Sequence, residues 1–273
     1  MADESLREIV DFYSKTQEES RLGAGSSQLE FERTKGLVRR FLPVAPAQVV
    51  DIGGASGPYA FWLASLGYDV HLVDATPRLV DVARQQDADA AHRLASIAVG
   101  DARRLPFDET SVDAVLLFGP LYHLTEPSDR LAALTEARRV LRPQGVILVA
   151  AISRYAGTLD GVALHPTLDE HIVAIRHRAV ADGQYRNDTG NPRYFTTAYF
   201  HRPEDLVEDL CDAGFGAVRV FGVEGPGWFL ADFEARWADP ASRENILRVA
   251  HLLEEEPSII GASAHLLAVG RRP

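Results

Sequence analysis

The sequence predicts an α/β fold, a doubly wound and mostly parallel sheet preceded by helices and interrupted late by a long insertion. Three observations carry this reading. Between Gln48 and Ile152 short apolar runs alternate with stretches of helical periodicity, and strands separated by helices pair in parallel with helices on both faces. The first run, Val49-Val50-Asp51-Ile52, breaks into Gly53-Gly54-Ala55-Ser56-Gly57 and then into helically spaced apolar residues from Pro58 to Leu66. Such a strand-loop-helix joint is where α/β sheets hold ligands, because glycine lets the backbone approach and the helix N-terminus offers free N–H groups. Finally, 273 residues with 46% hydrophobic content suffice for one large core.

The elements follow in order. Leu6, Ile9, Val10 and Tyr13 give residues 3 to 20 an apolar helical face, with Ser5-x-x-Glu8 as a capping box. Gly23-Ala24-Gly25 breaks that helix, and Ser27-x-x-Glu30 is expected to cap a second one ending near Leu42, before Pro43 and Pro46. Strands are expected at 48–52, 69–74, 95–99, 112–118 and 146–152, with helices at 57–66, from Thr76-Pro77 to Gln86, and at 127–141. After Ile152 the rhythm fails. Residues 153 to 202 are rich in Gly, His, Arg and Tyr, with one helical piece around 168–181, and read either as a binding loop or as a surface excursion. Pro203-Glu204-Asp205 opens a helix closed by Gly214, followed by strand 217–223, helical segments at 229–238 and 242–254, and a last strand at 264–270.

Composition excludes several classes. Lys plus Arg is 28 and Asp plus Glu is 39, a net charge of −11 that argues against a nucleic-acid or anionic-membrane partner. The single cysteine, Cys211, forms no internal disulfide, which points to a reducing, cytoplasmic setting. No apolar run approaches the ~18 residues of a spanning helix, and the first residues lack the pattern of a signal peptide. No metal is expected: the histidines are scattered, without His-x-x-x-His or Cys-x-x-Cys pairs.

For the glycine loop, a dinucleotide site competes with a nucleoside-type cofactor lacking a pyrophosphate. The spacing Asp51-x-Gly53-x-x-x-Gly57 departs from Gly-x-Gly-x-x-Gly, and an acid at the strand end repels a pyrophosphate but suits an ammonium or hydroxyls. A second acid, Asp74, ends the next strand and is placed to accept from two ribose hydroxyls. A third, Asp101, ends the strand after that, where it can accept from an adenine amino group.

Acids at three successive strand ends, with Val-Val-Asp-Ile-Gly-Gly-Ala-Ser-Gly (49–57), Val-Asp-Ala (73–75), Val-Gly-Asp-Ala-Arg-Arg-Leu-Pro-Phe (99–107), Val-Asp-Ala-Val-Leu-Leu-Phe-Gly-Pro-Leu-Tyr-His-Leu (112–124) and Arg-Val-Leu-Arg-Pro-Gln-Gly-Val (139–146), resemble the class I S-adenosylmethionine-dependent methyltransferases, of small-molecule type, from about residue 45 to 152. Ala55 and Gln144 stand where the family usually has glycine, and alanine's preference for negative φ implies a slightly different backbone at 55. The resemblance implies a Rossmann-like sheet of seven strands with the last antiparallel. It divides one methyltransferase domain (1–273) into an N-terminal helical lid (1–44), a cofactor-binding core (45–152), a substrate-binding insertion (153–202) and a C-terminal part (203–273).

It further implies S-adenosyl-L-methionine as cofactor. Asp51, Gly53, Gly54 and Gly57 would surround its methionine part, Asp74 and Ala75 the ribose, and Asp101 and Ala102 the adenine. Phe118 and Gly119 would lie beside it, and Tyr13 of the N-terminal helix would either touch it or belong to the core. The implied reaction moves the methyl group to an O, N or C nucleophile of a small molecule such as a secondary metabolite, in a monomer or homodimer. The alternatives are a cofactor-binding module without methyl transfer and an NAD-dependent dehydrogenase, which does not need Asp101.

Acceptor residues are sought after the fourth strand and in the insertion. In Leu121-Tyr122-His123-Leu124, Tyr122 and His123 sit at the correct sheet edge. His123 is the candidate general base, since histidine titrates near neutrality, or else a loop residue held by hydrogen bonds. Arg193, Tyr194 and Tyr199 would line an acceptor pocket, the aromatics packing on a cyclic substrate and Arg193 holding an anionic group. His165 belongs to the same insertion, and Trp228-Phe229 is a second possible wall.

Overall fold

The computed structural model describes residues 2–163, 169–191 and 194–273. Thus His165 and Arg193 lie outside the described residues. The strands of the main sheet are β1 (Gln48–Ile52), β2 (Asp69–Asp74), β3 (Ser96–Val99), β4 (Val112–Leu117), β5 (Leu141–Ile152), β8 (Gly216–Gly222) and β9 (His265–Arg271). They lie in the order β3-β2-β1-β4-β5-β9-β8. All are parallel except β9, which runs antiparallel to both its neighbours. The expected seven strands and the antiparallel last one are therefore present. A two-residue pair, β6 (Gln184–Tyr185) with β7 (Ala198–Tyr199), stands apart.

Helices cover both faces. On one face α3 (Ser27–Phe41) and α4 (Pro58–Ser65) bury Leu37, Val38 and Leu63 against Val49, Leu72 and Leu116. On the other, α7 (Pro127–Val140) and α10 (Pro203–Asp212) bury Leu134, Ala137, Leu206 and Leu210 against Val50, Ile52 and Leu117. The alternation of Val49 and Val50 between two cores is the period-2 signature of a strand covered on both sides. α5 (Pro77–Asp89) follows β2, and α6 (Pro120–His123) is a single turn after β4. The insertion forms α8 (Ala156–Ala163) and α9 (Glu170–Asp182), whose Ile172, Ile175 and Ala179 make a small separate core with Tyr185 and Phe200. α11 (Phe233–Ala238) and α12 (Pro240–Leu253) lie between β8 and β9.

The N-terminal helices differ from expectation. The apolar stretch 3–20 forms α1 (Ala2–Lys15) and a separate turn α2 (Glu18–Arg21). Neither capping box forms as read: Glu8 accepts a hydrogen bond from Thr197 Oγ1 (2.7 Å), and Glu30 is buried and takes Arg21 on both carboxylate oxygens (2.6 and 3.1 Å). A carboxylate already paired with a guanidinium has no reason to turn back to a backbone N–H. Arg78 of α5 donates to the carbonyls of Tyr13 (3.0 Å) and Thr16 (2.7 Å), so the end of α1 is fixed to the sheet layer. At the other side, Arg33 and Arg40 of α3 both reach Glu254 beyond α12.

Both residues that replace expected glycines keep the glycine conformation, with φ of 50° at Ala55 and 65° at Gln144. The expectation of a shifted backbone at 55 is thus corrected: surrounding hydrogen bonds hold the left-handed turn and the side chain accepts the strain. Gln144 is exposed and its N–H donates to the Arg272 carbonyl (2.9 Å). Left-handed backbone costs an L-residue ~1–2 kcal/mol, against ~0.5–1 kcal/mol of extra unfolded entropy for glycine. Gln144→Gly should therefore raise stability by about 0.5 kcal/mol, read as a small upward shift in thermal midpoint.

Candidate active site

The order of strands reverses direction at β1 and β4, and the chain leaves these neighbours toward opposite faces. The crevice that opens there, outside the carboxyl ends of the strands, is the place where open α/β sheets bind ligands. It holds a cavity of ≈ 680 Å³. Its wall includes Asp51, Gly53, Gly54, Asp74, Ala75, Asp101, Ala102, Phe118, Gly119 and Tyr13, so ten of the expected cofactor residues converge on one space. Gly57, the eleventh, does not line it: at φ 91° it turns the chain into α4.

Asp51 ends β1 fully buried, and neither carboxylate oxygen has a hydrogen-bond partner. Desolvation, with the nearby charge of Asp74, lifts its pKa to about 7, while the Ala60 backbone N–H pulls it the other way. Glycine is required around it. A Cβ on Gly54 would lie 2.8 Å from Asp51 Oδ2, and one on Gly53 would lie 2.3 Å from Pro120 Cδ. The loop thus presents bare backbone beside a bare carboxylate.

Asp74 is different. Its Oδ2 accepts from Ala55 N (2.9 Å) and its Oδ1 from Thr76 N (2.8 Å), tying the loop after β1 to the start of α5. Burial raises its pKa and these two N–H groups hold it back. Thr76 is the N-cap of α5, but the capping is done by Asp74. Asp101, on the rim, is partly exposed; burial pushes its pKa up, but Arg103, bonded to both its oxygens (2.6 and 3.1 Å), keeps it below the usual range.

His123 is buried at the roof. Its Nδ1–H donates to the Thr197 carbonyl (3.1 Å), which leaves Nε2 to accept from the Tyr13 hydroxyl (2.9 Å). Burial drives its pKa down to about 4, only slightly opposed by Thr197. This corrects the expectation of a base titrating near neutrality: its free lone pair is already occupied by Tyr13, and desolvation disfavours the imidazolium.

A second cavity of ≈ 840 Å³ adjoins the first. Tyr13, Glu18, Arg21, Tyr122 and His265 line both. The far wall is aromatic and comes from the insertion: Tyr185 stacked on Phe200 (5.0 Å, 15°), with Tyr194 and Phe195, and Trp228 opposite. Tyr122 and Tyr194 therefore stand where expected. Tyr199 does not. It lines neither cavity, because Arg130 packs over its ring (4.1 Å) and Arg154 donates to its hydroxyl (3.2 Å).

The sequence reading missed the charged group at the junction. Glu30, Glu224 and His265 bring ligand atoms within 4.8 Å of one another, yet each carboxylate is committed. Arg21 holds Glu30, while Glu224 accepts from Ser263 Oγ (2.7 Å), the His265 N–H (3.0 Å) and His265 Nδ1–H (2.5 Å). Burial pulls the His265 pKa down, but the carboxylates of Glu30 and Glu224 overcome it and lift it to about 9. The trio is a shared proton between acids rather than an open coordination shell.

Residues 50–149 match the family model of a methyltransferase domain. This segment is a methyltransferase domain. An uncharacterised methyltransferase of Mycobacterium tuberculosis is 38% identical over 104 residues, 38% of this chain and 39% of that protein, so the chain spans about two-fifths of the length of such a relative. A ubiquinone/menaquinone biosynthesis C-methyltransferase of Bordetella bronchiseptica is 32% identical over 181 residues, 64% of this chain and 66% of the relative. Among solved structures, a methyltransferase of this cofactor class from Methanosarcina mazei aligns with TM-score 0.59 at 16% identity, covering 86% and 96% of the two chains. A Pyrococcus horikoshii protein aligns with TM-score 0.63 at 15%, covering 96% and 99%. At these identities the structural likeness shows the fold. The methyltransferase domain defined by 50–149 contains the whole strand-end cradle apart from Tyr13, and little of the second cavity.

The two histidines at the roof and junction give a direct check. In an NMR titration His123 should stay neutral down to about pH 4 and His265 should stay protonated up to about pH 9. Because the His265 pKa is raised on folding, its contribution to stability is complete below about pH 6.5 and disappears as pH rises through about 9. Glu224→Gln should flatten that loss in thermal melts across this window.

Proposed function

We propose that this protein transfers the methyl group of S-adenosylmethionine to a small-molecule acceptor, as one domain in which α1–α3 cover the cofactor and the insertion supplies the acceptor wall. The observation that carries it is Asp51: a buried carboxylate without a partner, on a loop that glycine keeps bare, facing a cavity. A cofactor bearing an ammonium supplies the missing countercharge, and no pyrophosphate does. The residues present fit this cofactor. Asp51 with the Gly53–Gly54 backbone would hold the methionine part, Asp74 the ribose, and Asp101 and Ala102 the adenine. Bound there, its sulfonium supplies an activated methyl group.

The remaining work falls to the chain itself. The Tyr13–His123 bond ties α1 to α6 beside the junction between the cavities, where positioning is worth most to such a displacement. His123 serves this reading as the group that orients Tyr13, rather than as the base. Small molecules fit the scale of the second cavity, and the ubiquinone/menaquinone biosynthesis C-methyltransferase named above agrees with a cyclic acceptor.

Calorimetry tests the reading. S-adenosylmethionine and S-adenosylhomocysteine should bind and NAD should not; tight NAD binding overturns it. Because the free Asp51 carboxyl is protonated below about pH 7 and binding of a cation needs it ionised, affinity for S-adenosylhomocysteine should fall as pH drops below 7 and level off above it. Asp51→Asn should remove that dependence. Asp74→Asn should weaken cofactor binding by roughly 1.5–3 kcal/mol, about 10- to 150-fold, and unchanged affinity would exclude Asp74 from the ribose site.

A further inference from the structure

Beside the cofactor cradle the structure holds a chamber whose chemistry is of a different kind. It is walled by Tyr185, Phe200, Phe195, Tyr194 and Trp228, and the indole of Trp228 is pinned by its N–H to the Ala262 carbonyl (3.0 Å). Flat rings fixed in this way select flat apolar partners, since stacked and edge-on contacts lose little entropy on binding. Polar side chains also line the chamber: Arg176, paired with Asp160, and Asp169 and Asn191 lie on the insertion side, and His265 stands where the chamber meets the cradle. His265 lines both cavities and is about one quarter accessible, although packed among Glu30 of α3, Arg21 and Glu18 of α2, Glu224 after β8, and Tyr13 and Tyr122. Its Nδ1–H is fixed on Glu224, and among the described residues no hydrogen bond occupies Nε2. Glu224 in turn is locked by Ser263 and by the His265 N–H, so the ring cannot swing to satisfy Nε2 elsewhere.

We propose that the second cavity binds the methyl acceptor as a planar ring bearing an oxygen substituent, and that the Nε2–H of His265 anchors that oxygen at the junction. This rests on the methyltransferase reading above. Arg21 and His265 at the junction lie among Glu18, Glu30 and Glu224, and Arg176 in the chamber lies with Asp160 and Asp169, so the site offers a directed hydrogen bond rather than a net positive field. The oxygen it holds is thus a hydroxyl or carbonyl and need not be an anion. His265 is an anchor and not the base: it already carries its proton, and it has no lone pair with which to accept another.

The test uses the full chain saturated with S-adenosylhomocysteine, which fills the cradle without permitting turnover. Calorimetry with 2-naphthol and with naphthalene should show 2-naphthol bound about tenfold or more tightly, the size expected for one buried hydrogen bond to a charged donor. His265→Phe, which keeps a ring and removes the donor, should erase the difference between the two compounds. Retained affinity for S-adenosylhomocysteine and a cooperative thermal transition, at a midpoint lowered by loss of the His265–Glu224 pair, show that the cradle and fold persist. Phe195→Ala, which leaves His265 in place, should weaken both compounds together. Equal binding of the two compounds to the unaltered protein, discrimination that survives His265→Phe, or failure of 2-naphthol to bind would overturn the proposal while the cofactor reading stands. Failure of S-adenosylhomocysteine itself to bind overturns both.

Discussion

A carboxylate removed from water without a partner is one of the most costly features a fold can carry, and Asp51 is such a group. Its tolerance constrains everything around it. The β1 strand must end inside the sheet, the next residues must be glycine so that nothing fills the space above the acid, and the chain must leave β1 and β4 toward opposite faces to open a crevice. In the absence of a cation the side chain resolves the conflict by holding a proton, which is why its pKa sits near 7. Asp74 obeys the opposite rule. It satisfies itself with two backbone N–H groups and so fixes the geometry of the loop that Asp51 leaves open.

Much of this was legible in the sequence because it is local. Strand ends, glycine spacing and acids at β1, β2 and β3 are properties of short segments, and the parallel order follows from helices between strands. The elements missed are those that depend on contacts between distant segments. Glu30 reads as a capping-box residue until Arg21 is seen to cross to it. Tyr199 reads as a pocket aromatic until Arg130 and Arg154 enclose it. His123 reads as a neutral-range base until Tyr13, 110 positions away, donates into its lone pair.

His265 shows the same limit with a physical signal attached. It is the first residue of an apolar strand, an unremarkable place for a histidine if the strand is parallel. In β9 the direction is reversed, and Ile152 at the end of β5 pairs with His265 at the start of β9. The N-terminal end of the one antiparallel strand therefore lies at the edge where all parallel strands finish. An ionisable residue opening a strand of that orientation belongs to the site.

The pairing of two adjoining cavities also divides the chain by heredity. Of the residues that wall the second cavity, Tyr122 alone falls within 50–149, the segment matched by the family model. The rest come from α1 and α2, the insertion, and the segment after β8. Because none of these carries the glycine loop or the acids at the ends of β1 and β2, their side chains can drift or be redesigned while the cradle of Asp51, Gly54 and Asp74 stays untouched. Kinship measured over the cradle is for that reason silent about the chamber, and two proteins with the same cradle are free to part company in what they methylate.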